Sequence, residues 1–238
     1  MKVNNHILIY IVLITISAIA LFIQHLTHME FLLHIAAIPL EVLVAVFIVE
    51  RYLENRRNKE RRRQLMHIKS CMFRLEMRNL FISNLNALKS PSITISQIKT
   101  ATLPELNKMR EDAENIEYKS LELMEPVIME YANTEHVWRS FMDMARDYGF
   151  EDIFQDMVYI LHFLSDIKIL REINPDKLFI HEAVKYELLM QKVMKVLGDG
   201  IRKFLDYAIE MKEKEPELFN DLISDYELST QIRDLYKT

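Results

Sequence analysis

The carboxylate of Glu41 lies within an otherwise uncharged run of 19 residues, 31–49. At the centre of a membrane helix a charged side chain costs about 2.5 to 3.5 kcal/mol, so a carboxylate there is functional by default. Pro39 lacks a backbone N–H and predicts a kink just before it. His34, seven residues before Glu41, falls on the same helical face. Polar groups on one stripe of a kinked helix are typical of a water-filled path for cations or protons.

A second interpretation pairs Glu41 with Thr15. Thr15 is the midpoint of an earlier uncharged run, 7–23, and Leu40 is the midpoint of 31–49, so Thr15 and Glu41 would lie at one depth of a bilayer. A protonated Glu41 can then donate a hydrogen bond to the Thr15 hydroxyl, which stabilises membrane helix packing by about 0.6 kcal/mol on average. Glu41 is therefore either a clasp within one chain or part of a pore. A pore requires an oligomer, because one hairpin cannot enclose it.

Both uncharged runs are long enough to be membrane spans. As helices, 7–23 would extend over roughly 26 Å and 31–49 over roughly 28 Å. Only seven residues, 24–30, separate them, and so short a link forces an antiparallel hairpin with both chain ends on one side. A cleaved signal peptide is the alternative for the first run, but a second span favours its retention. We therefore expect the lipid bilayer as a partner.

Seven basic residues, the basic cluster, follow the second run: Arg51, Arg56, Arg57, Lys59, Arg61, Arg62 and Arg63. By the positive-inside rule they and Lys2 hold both termini in the cytoplasm, as in a multi-pass inner (plasma) membrane protein. They also contact anionic lipid head groups, each worth about 1 kcal/mol near the surface. The segment 50–63 carries +4 of a total charge of −5, which leaves −9 elsewhere. A nucleic-acid partner is not expected, because phosphate binding needs a basic surface.

Arg62 and His67 offer a different chemistry. In "RRQLMH", residues 62–67, four positions separate an arginine from a histidine, which resembles the motif of HEPN-type ribonucleases, helical domains whose dimers cut RNA. The resemblance covers these six residues and implies a phosphate-facing Arg62 and a general base in His67. The family's usual polar residue after the arginine is here Arg63.

Other catalytic motifs are absent from the sequence. Glycine occurs only at positions 149, 198 and 200, so neither a P-loop nor a dinucleotide-binding fingerprint can be written. The segment "HEAVK", 181–185, lacks the second histidine of a zinc-protease helix. We therefore predict no cofactor, no metal site and a non-enzymatic protein.

The scarcity of glycine and proline predicts an all-α protein, because both residues mark turns and helix ends. We divide it into a transmembrane hairpin (1–50), a basic juxtamembrane segment with a long helix (51–90) and a cytosolic all-helical domain (91–238). A coiled-coil-like seam, which predicts a homo-oligomer, follows the basic cluster: Leu65, Ile68, Met72, Leu75, Asn79 and Ile82.

Helix boundaries in the cytosolic domain follow from capping and turn residues. Thr102 with Glu105 has the capping-box pattern, and Pro104 suits a first helical turn. "GDG", 198–200, marks a break. The predicted helices are 104–124, 126–147, 151–172, 175–196, 200–213 and 216–236.

Together these features predict an oligomeric membrane module. Its helical domain receives a cytosolic protein or a small-molecule signal and changes the membrane hairpin, with a pore through Glu41 as the sharpest form of the hypothesis. A helical scaffold or adaptor with a passive anchor is the alternative. A membrane-tethered HEPN-like ribonuclease is the third possibility.

Overall fold

The chain is helical apart from one short two-stranded sheet, in a computed structural model that describes residues 3–27 and 30–235. It forms two compact units, Met1–Gln64 (the N-terminal unit) and Leu65–Thr238 (the C-terminal unit). The predicted all-α fold class is confirmed. With three glycines in 238 residues, few positions favour a break in a helix.

Two helices supply the N-terminal unit: α1 (Val3–Thr27) and the first part of α2 (Glu30–Leu75). The Tyr10 hydroxyl donates a hydrogen bond to the Glu50 carboxylate, so the beginning of α1 lies beside a later part of α2 and the helices are antiparallel. The least exposed of the described side chains on α1 are Tyr10, Leu13, Ser17 and Ala20. Their alternating spacing of three and four places them on one helical face, where small residues allow close packing.

Within the part of the chain that the structure describes, no helix is both long and apolar enough to cross a membrane. The transmembrane hairpin, with spans near 7–23 and 31–49, therefore stays a prediction. Pro39 lies inside α2, which is assigned as helix without interruption from Glu30 to Leu75.

The C-terminal unit contains the end of α2, a series of shorter helices and the two strands. They are α3 (Arg78–Ala87), β1 (Leu88–Ser90), α4 (Ile95–Thr100), α5 (Leu103–Asp112), β2 (Glu117–Tyr118), α6 (Leu121–Asn133), α7 (Glu135–Tyr148), α8 (Glu151–Ile173), α9 (Phe179–Ala183), α10 (Glu187–Lys214) and α11 (Pro216–Leu235). β1 and β2 pair antiparallel. Helix α10 is central, since it contacts α3, α5, α8, α9 and α11.

The predicted long helix after the basic cluster ends earlier than expected. The backbone N–H groups of Glu76 and Met77 both donate to the carbonyl oxygen of Met72, at 2.9 and 3.1 Å, and the chain turns there before α3 begins. The turn carries Met77 into the core, where it is 1% exposed. Burial of this side chain therefore outweighs the continuous helical pattern of the sequence.

The predicted seam is consequently divided between α2 and α3. Leu75 is 66% exposed and Asn79 is exposed, whereas Ile82 is buried. Leu65, Ile68 and Met72 are half-buried. Between positions 65 and 77 the buried residues are instead Met66, Ser70, Phe73 and Met77. Contact between protomers through the seam stays a prediction.

Helix α10 passes through both glycines at which the sequence predicts a break. It extends over 28 residues, from Glu187 to Lys214. Two other predicted helices differ from the structure. The helix predicted over 104–124 ends at Asp112. The helix predicted over 126–147 is divided at Thr134, which lies between α6 and α7. Helix α5 does begin at the predicted capping box, where the Glu105 carboxylate accepts hydrogen bonds from the Thr102 backbone N–H at 2.6 Å and from the Thr102 hydroxyl at 2.8 Å.

Candidate ligand-binding cleft

A cleft of about 360 Å³ opens within the C-terminal unit, between the end of α2 and helices α3, α6, α7, α8 and α10. Its inner wall is aromatic: Phe73, Phe81, Tyr131, Trp138 and Phe141. Charged side chains from α2, α8 and α10 also line it, among them three lysines and four carboxylates. The cleft therefore combines an apolar wall with charged groups.

The turn between α6 and α7 positions the aromatic wall. The Thr134 hydroxyl donates to the carbonyl of Glu130 at 2.8 Å, and Thr134 is the residue at which α6 ends and α7 begins. One turn into α7, the Trp138 indole N–H donates to the carbonyl of Tyr131 at 3.2 Å. The two rings stack with their centroids 5.4 Å apart. Both side chains are thereby fixed against the cleft.

Tyr131 is held on its other side by α10. Its hydroxyl donates to the carbonyl of Val196 at 3.2 Å. Complete burial raises the pKa of Tyr131 well above its ordinary value, so the phenol stays neutral. Gly200 makes this approach possible, because a Cβ at that position would overlap the Tyr131 hydroxyl. Tyr131 therefore shapes the cleft and is no acid–base group at neutral pH.

The four carboxylates at the cleft already have cationic partners. Asp156 pairs with Lys203 at 2.8 Å, and Glu210 pairs with Lys214 at 2.9 Å. The other two ion pairs join Asp199 to Lys195 at 2.7 Å and Asp206 to Arg110 at 2.8 Å.

The pKa of Asp199 shows the effect of these ion pairs on a carboxylate. Burial acts to raise its pKa, but hydrogen bonds from Lys195 and Arg202 outweigh burial and hold the pKa below its usual value. Arg202 lies 2.5 Å from the carboxylate. Asp199 is therefore ionised at neutral pH and compensated within the protein.

Lys69 differs from the other two lysines of the cleft. Among the described residues, no carboxylate forms an ion pair with the Lys69 ammonium group. Lys195 and Lys203 are both paired. Burial lowers the pKa of Lys69, while the charges of Glu210 and Asp156 act in the opposite direction. Its half-buried side chain lies one helical turn before Phe73 on α2.

The residues predicted from the sequence are not those that line the cleft. Glu41 is exposed on α2, and the Thr15 hydroxyl donates to the carbonyl of Ile11 at 2.7 Å. In the described part of the chain no hydrogen bond joins Glu41 to Thr15, and the clasp stays a prediction. The side chain of His34 lies outside the described residues. Pro39 is half-buried.

The basic residues are all on the surface. Every member of the basic cluster is exposed, and so is His67. A separation of five residues turns a helix by about 140°, so Arg62 and His67 do not share one face of α2. Neither residue lines the cleft. The ribonuclease hypothesis gains no support from this arrangement.

Sequence reasoning missed the cleft because its lining comes from six helices. The only local signal was the one-turn spacing of Lys69 and Phe73 on α2, a pattern that many surface helices share. Within the described residues, no group of three or more His, Cys, Asp or Glu side chains could hold a metal ion.

Comparison of the chain with protein-family models, with curated proteins and with solved structures finds no match.

Proposed function

We propose that this chain is a membrane-anchored receptor for a small apolar molecule, which binds in the cleft of the C-terminal unit. The observation that carries the proposal is the cleft: about 360 Å³ of space against an aromatic wall. Ligand sites are typically concave, about 300 to 1,000 Å³ in volume, and mostly apolar with a few polar groups. The cleft has each of these properties.

The hydrophobic effect favours an apolar ligand at this wall. Covering apolar surface removes it from water, at about 25 cal/mol for each Å². Around the cleft the core is otherwise tight, with Tyr131 at 1%, Phe141 at 4% and Trp138 at 5% exposure. A molecule that covered the apolar wall would take that surface out of contact with water, and its binding would stabilise the folded unit.

Membrane anchoring is the second part of the proposal. Most exposed large apolar side chains of the described residues lie between Ile11 and Leu53 on α1 and α2. Soluble monomers rarely expose contiguous apolar patches above a few hundred Å². The basic cluster follows this surface on α2. A lipid bilayer would surround an apolar surface of this kind, and its anionic head groups would bind the adjacent basic segment.

Helix α2 links the two parts of the proposal. It begins at Glu30, carries Glu41 and the basic cluster, and contributes Lys69 and Phe73 to the cleft. A ligand in the cleft therefore contacts the helix that we place in the membrane. In a membrane, an exposed carboxylate such as Glu41 needs water or a partner chain. We accordingly extend the proposal to a homo-oligomer in which Glu41 lines a cation path under ligand control.

Trp138 supplies the experiment, because it is the only tryptophan of the chain and lines the cleft. The purified full chain in detergent is titrated with 4-(4-bromophenyl)butan-1-ol, whose bromine quenches a neighbouring indole. Saturable quenching is expected in the wild type.

Two isoleucines of α8 give matched variants. Ile153 lines the cleft, whereas Ile173 is 69% exposed and lies outside it. Ile153→Phe should fill the cleft and abolish saturable quenching, and Ile173→Phe should retain it. Far-ultraviolet circular dichroism checks that both variants fold. Quenching that is absent, or that rises without saturation in all three proteins, would overturn the proposal.

A further inference from the structure

The charges around the cleft leave one cation available to a ligand. Each of the four carboxylates and two of the three lysines that line it are engaged in ion pairs. Among the described residues, Lys69 has no such pair and no hydrogen bond at its ammonium group. A lysine ammonium carries three donors, so Lys69 retains its capacity to bind an anion.

The two carboxylates whose charges act on Lys69 do not use that capacity. Asp156 and Glu210 act on Lys69 only through space, because their own ion pairs are with Lys203 and Lys214. Lys69 lies one helical turn before Phe73 on α2, and both residues line the cleft. A charged group in such surroundings is stabilised most by a partner that brings both an opposite charge and an apolar body.

We propose that the ligand is an apolar molecule with a single carboxylate, and that Lys69 is the residue that pairs with that carboxylate. This inference rests on the proposed function, since it specifies the chemistry of the molecule in the same cleft. Ligands with an acyl chain and ligands with an aromatic ring both satisfy this proposal, provided that they carry one carboxylate.

The surroundings of Lys69 favour a monoanion over a phosphate. Asp156, Asp199, Asp206 and Glu210 all lie around the cleft and would repel a dianion more strongly than a carboxylate. Phosphate sites generally use arginine forks or the N-termini of helices. No arginine is among the residues that line the cleft. A single lysine is sufficient for a carboxylate.

The test compares 4-(4-bromophenyl)butanoate with the corresponding alcohol, 4-(4-bromophenyl)butan-1-ol, through quenching of Trp138. The wild type should bind the carboxylate at least about tenfold more tightly than Lys69→Met does, because a charge-assisted hydrogen bond is lost. Lys69→Arg should retain most of that affinity. The alcohol should bind the wild type and Lys69→Met equally.

Controls separate this inference from the proposed function. Lys89→Met removes a lysine outside the cleft that pairs with Glu117, and it should bind both probes as the wild type does. Lys69→Gln replaces Lys69→Met if the latter fails to fold. Equal carboxylate affinity in the wild type and the neutral variants, with the alcohol still bound, overturns the role of Lys69 alone. If the wild type binds neither probe, the proposed function fails as well.

Discussion

The hydroxyl of Tyr131 lies so close to the α-carbon of Gly200 that a side chain at position 200 would overlap it. This contact joins α6 to α10 at the cleft. It also explains why a glycine is found inside a long helix, where it costs about 1 kcal/mol relative to alanine. Tyr131 in turn stacks on Trp138, so the contact fixes the aromatic wall.

Substitution of the two glycines of α10 should have opposite effects. Gly200→Ala forces Tyr131 to move, and overpacking of this kind lowers the free energy of unfolding by about 1 to 3 kcal/mol. Gly198→Ala would meet only the flexible end of the Arg202 side chain, at 3.4 Å, so the gain in helix propensity should dominate and leave stability equal or higher. Thermal unfolding of the two variants measures the difference. Equal melting temperatures would show that the Tyr131 contact has no energetic weight.

Asn84 should be essential to the core of the C-terminal unit. It is fully buried, its amide donates to the carbonyl of Leu197 at 2.9 Å, and its carbonyl accepts from the Tyr118 hydroxyl at 3.1 Å. Asn84→Ala removes both hydrogen bonds, leaves the Tyr118 hydroxyl without this acceptor and opens a gap in the core, so it should lower the free energy of unfolding by about 2 kcal/mol. The control is Asn86→Ala, at an exposed position of the same helix. Chemical denaturation should leave the control within about 0.5 kcal/mol of the wild type.

Stability near neutral pH should include a contribution from Glu135, at the start of α7, that is lost in acid. Hydrogen bonds from Lys168 and Arg139 lower the pKa of Glu135 from its ordinary value. A carboxylate with a lowered pKa stabilises the fold above its unfolded pKa, about 4.3, and this contribution is lost as the pH falls through the folded pKa. Glu135→Gln should therefore melt at a lower temperature than the wild type at pH 7, and the two melting temperatures should converge as the pH falls from about 4.3 through the folded pKa. Glu111→Gln, at an exposed position, should show no such convergence, and a constant offset for Glu135→Gln would refute the assigned role.

Membrane topology can be tested with thiol labelling. The single cysteine, Cys71, is exposed and is first changed to serine. His25→Cys in that background should react with a membrane-impermeant maleimide on intact cells, because the proposed topology places the end of α1 outside. Asn55→Cys, beside the basic cluster, should react only after lysis. Equal labelling of both positions on intact cells would contradict a hairpin with its ends in the cytoplasm.

Local signals made part of the fold predictable. The capping box at Thr102 and Glu105 marked the start of α5, because both partners are three residues apart and need no tertiary contact. The glycines at 198 and 200 misled for the opposite reason. Their role depends on Tyr131, which is 69 positions from Gly200 in the sequence. Propensity predicts a break there, and tertiary packing overrides it.

The cleft could not be predicted, since its wall forms only when distant segments meet. Lys69, Trp138 and Lys203 have no common motif, and each lies on a different helix. Conversely, Glu41 was conspicuous because its chemistry is defined by its immediate neighbours. Such a signal reports the environment of one helix and cannot reveal a site built from several.

Hydrogen–deuterium exchange of the full chain, with and without 4-(4-bromophenyl)butan-1-ol, tests most directly whether the cleft is a ligand site that acts on α2. Binding should slow exchange in 66–75 of α2 and 153–160 of α8, which contribute to the cleft, and leave 95–100 of α4 unchanged. Slower exchange confined to segments outside the cleft, or no change at a saturating concentration, would contradict a receptor function.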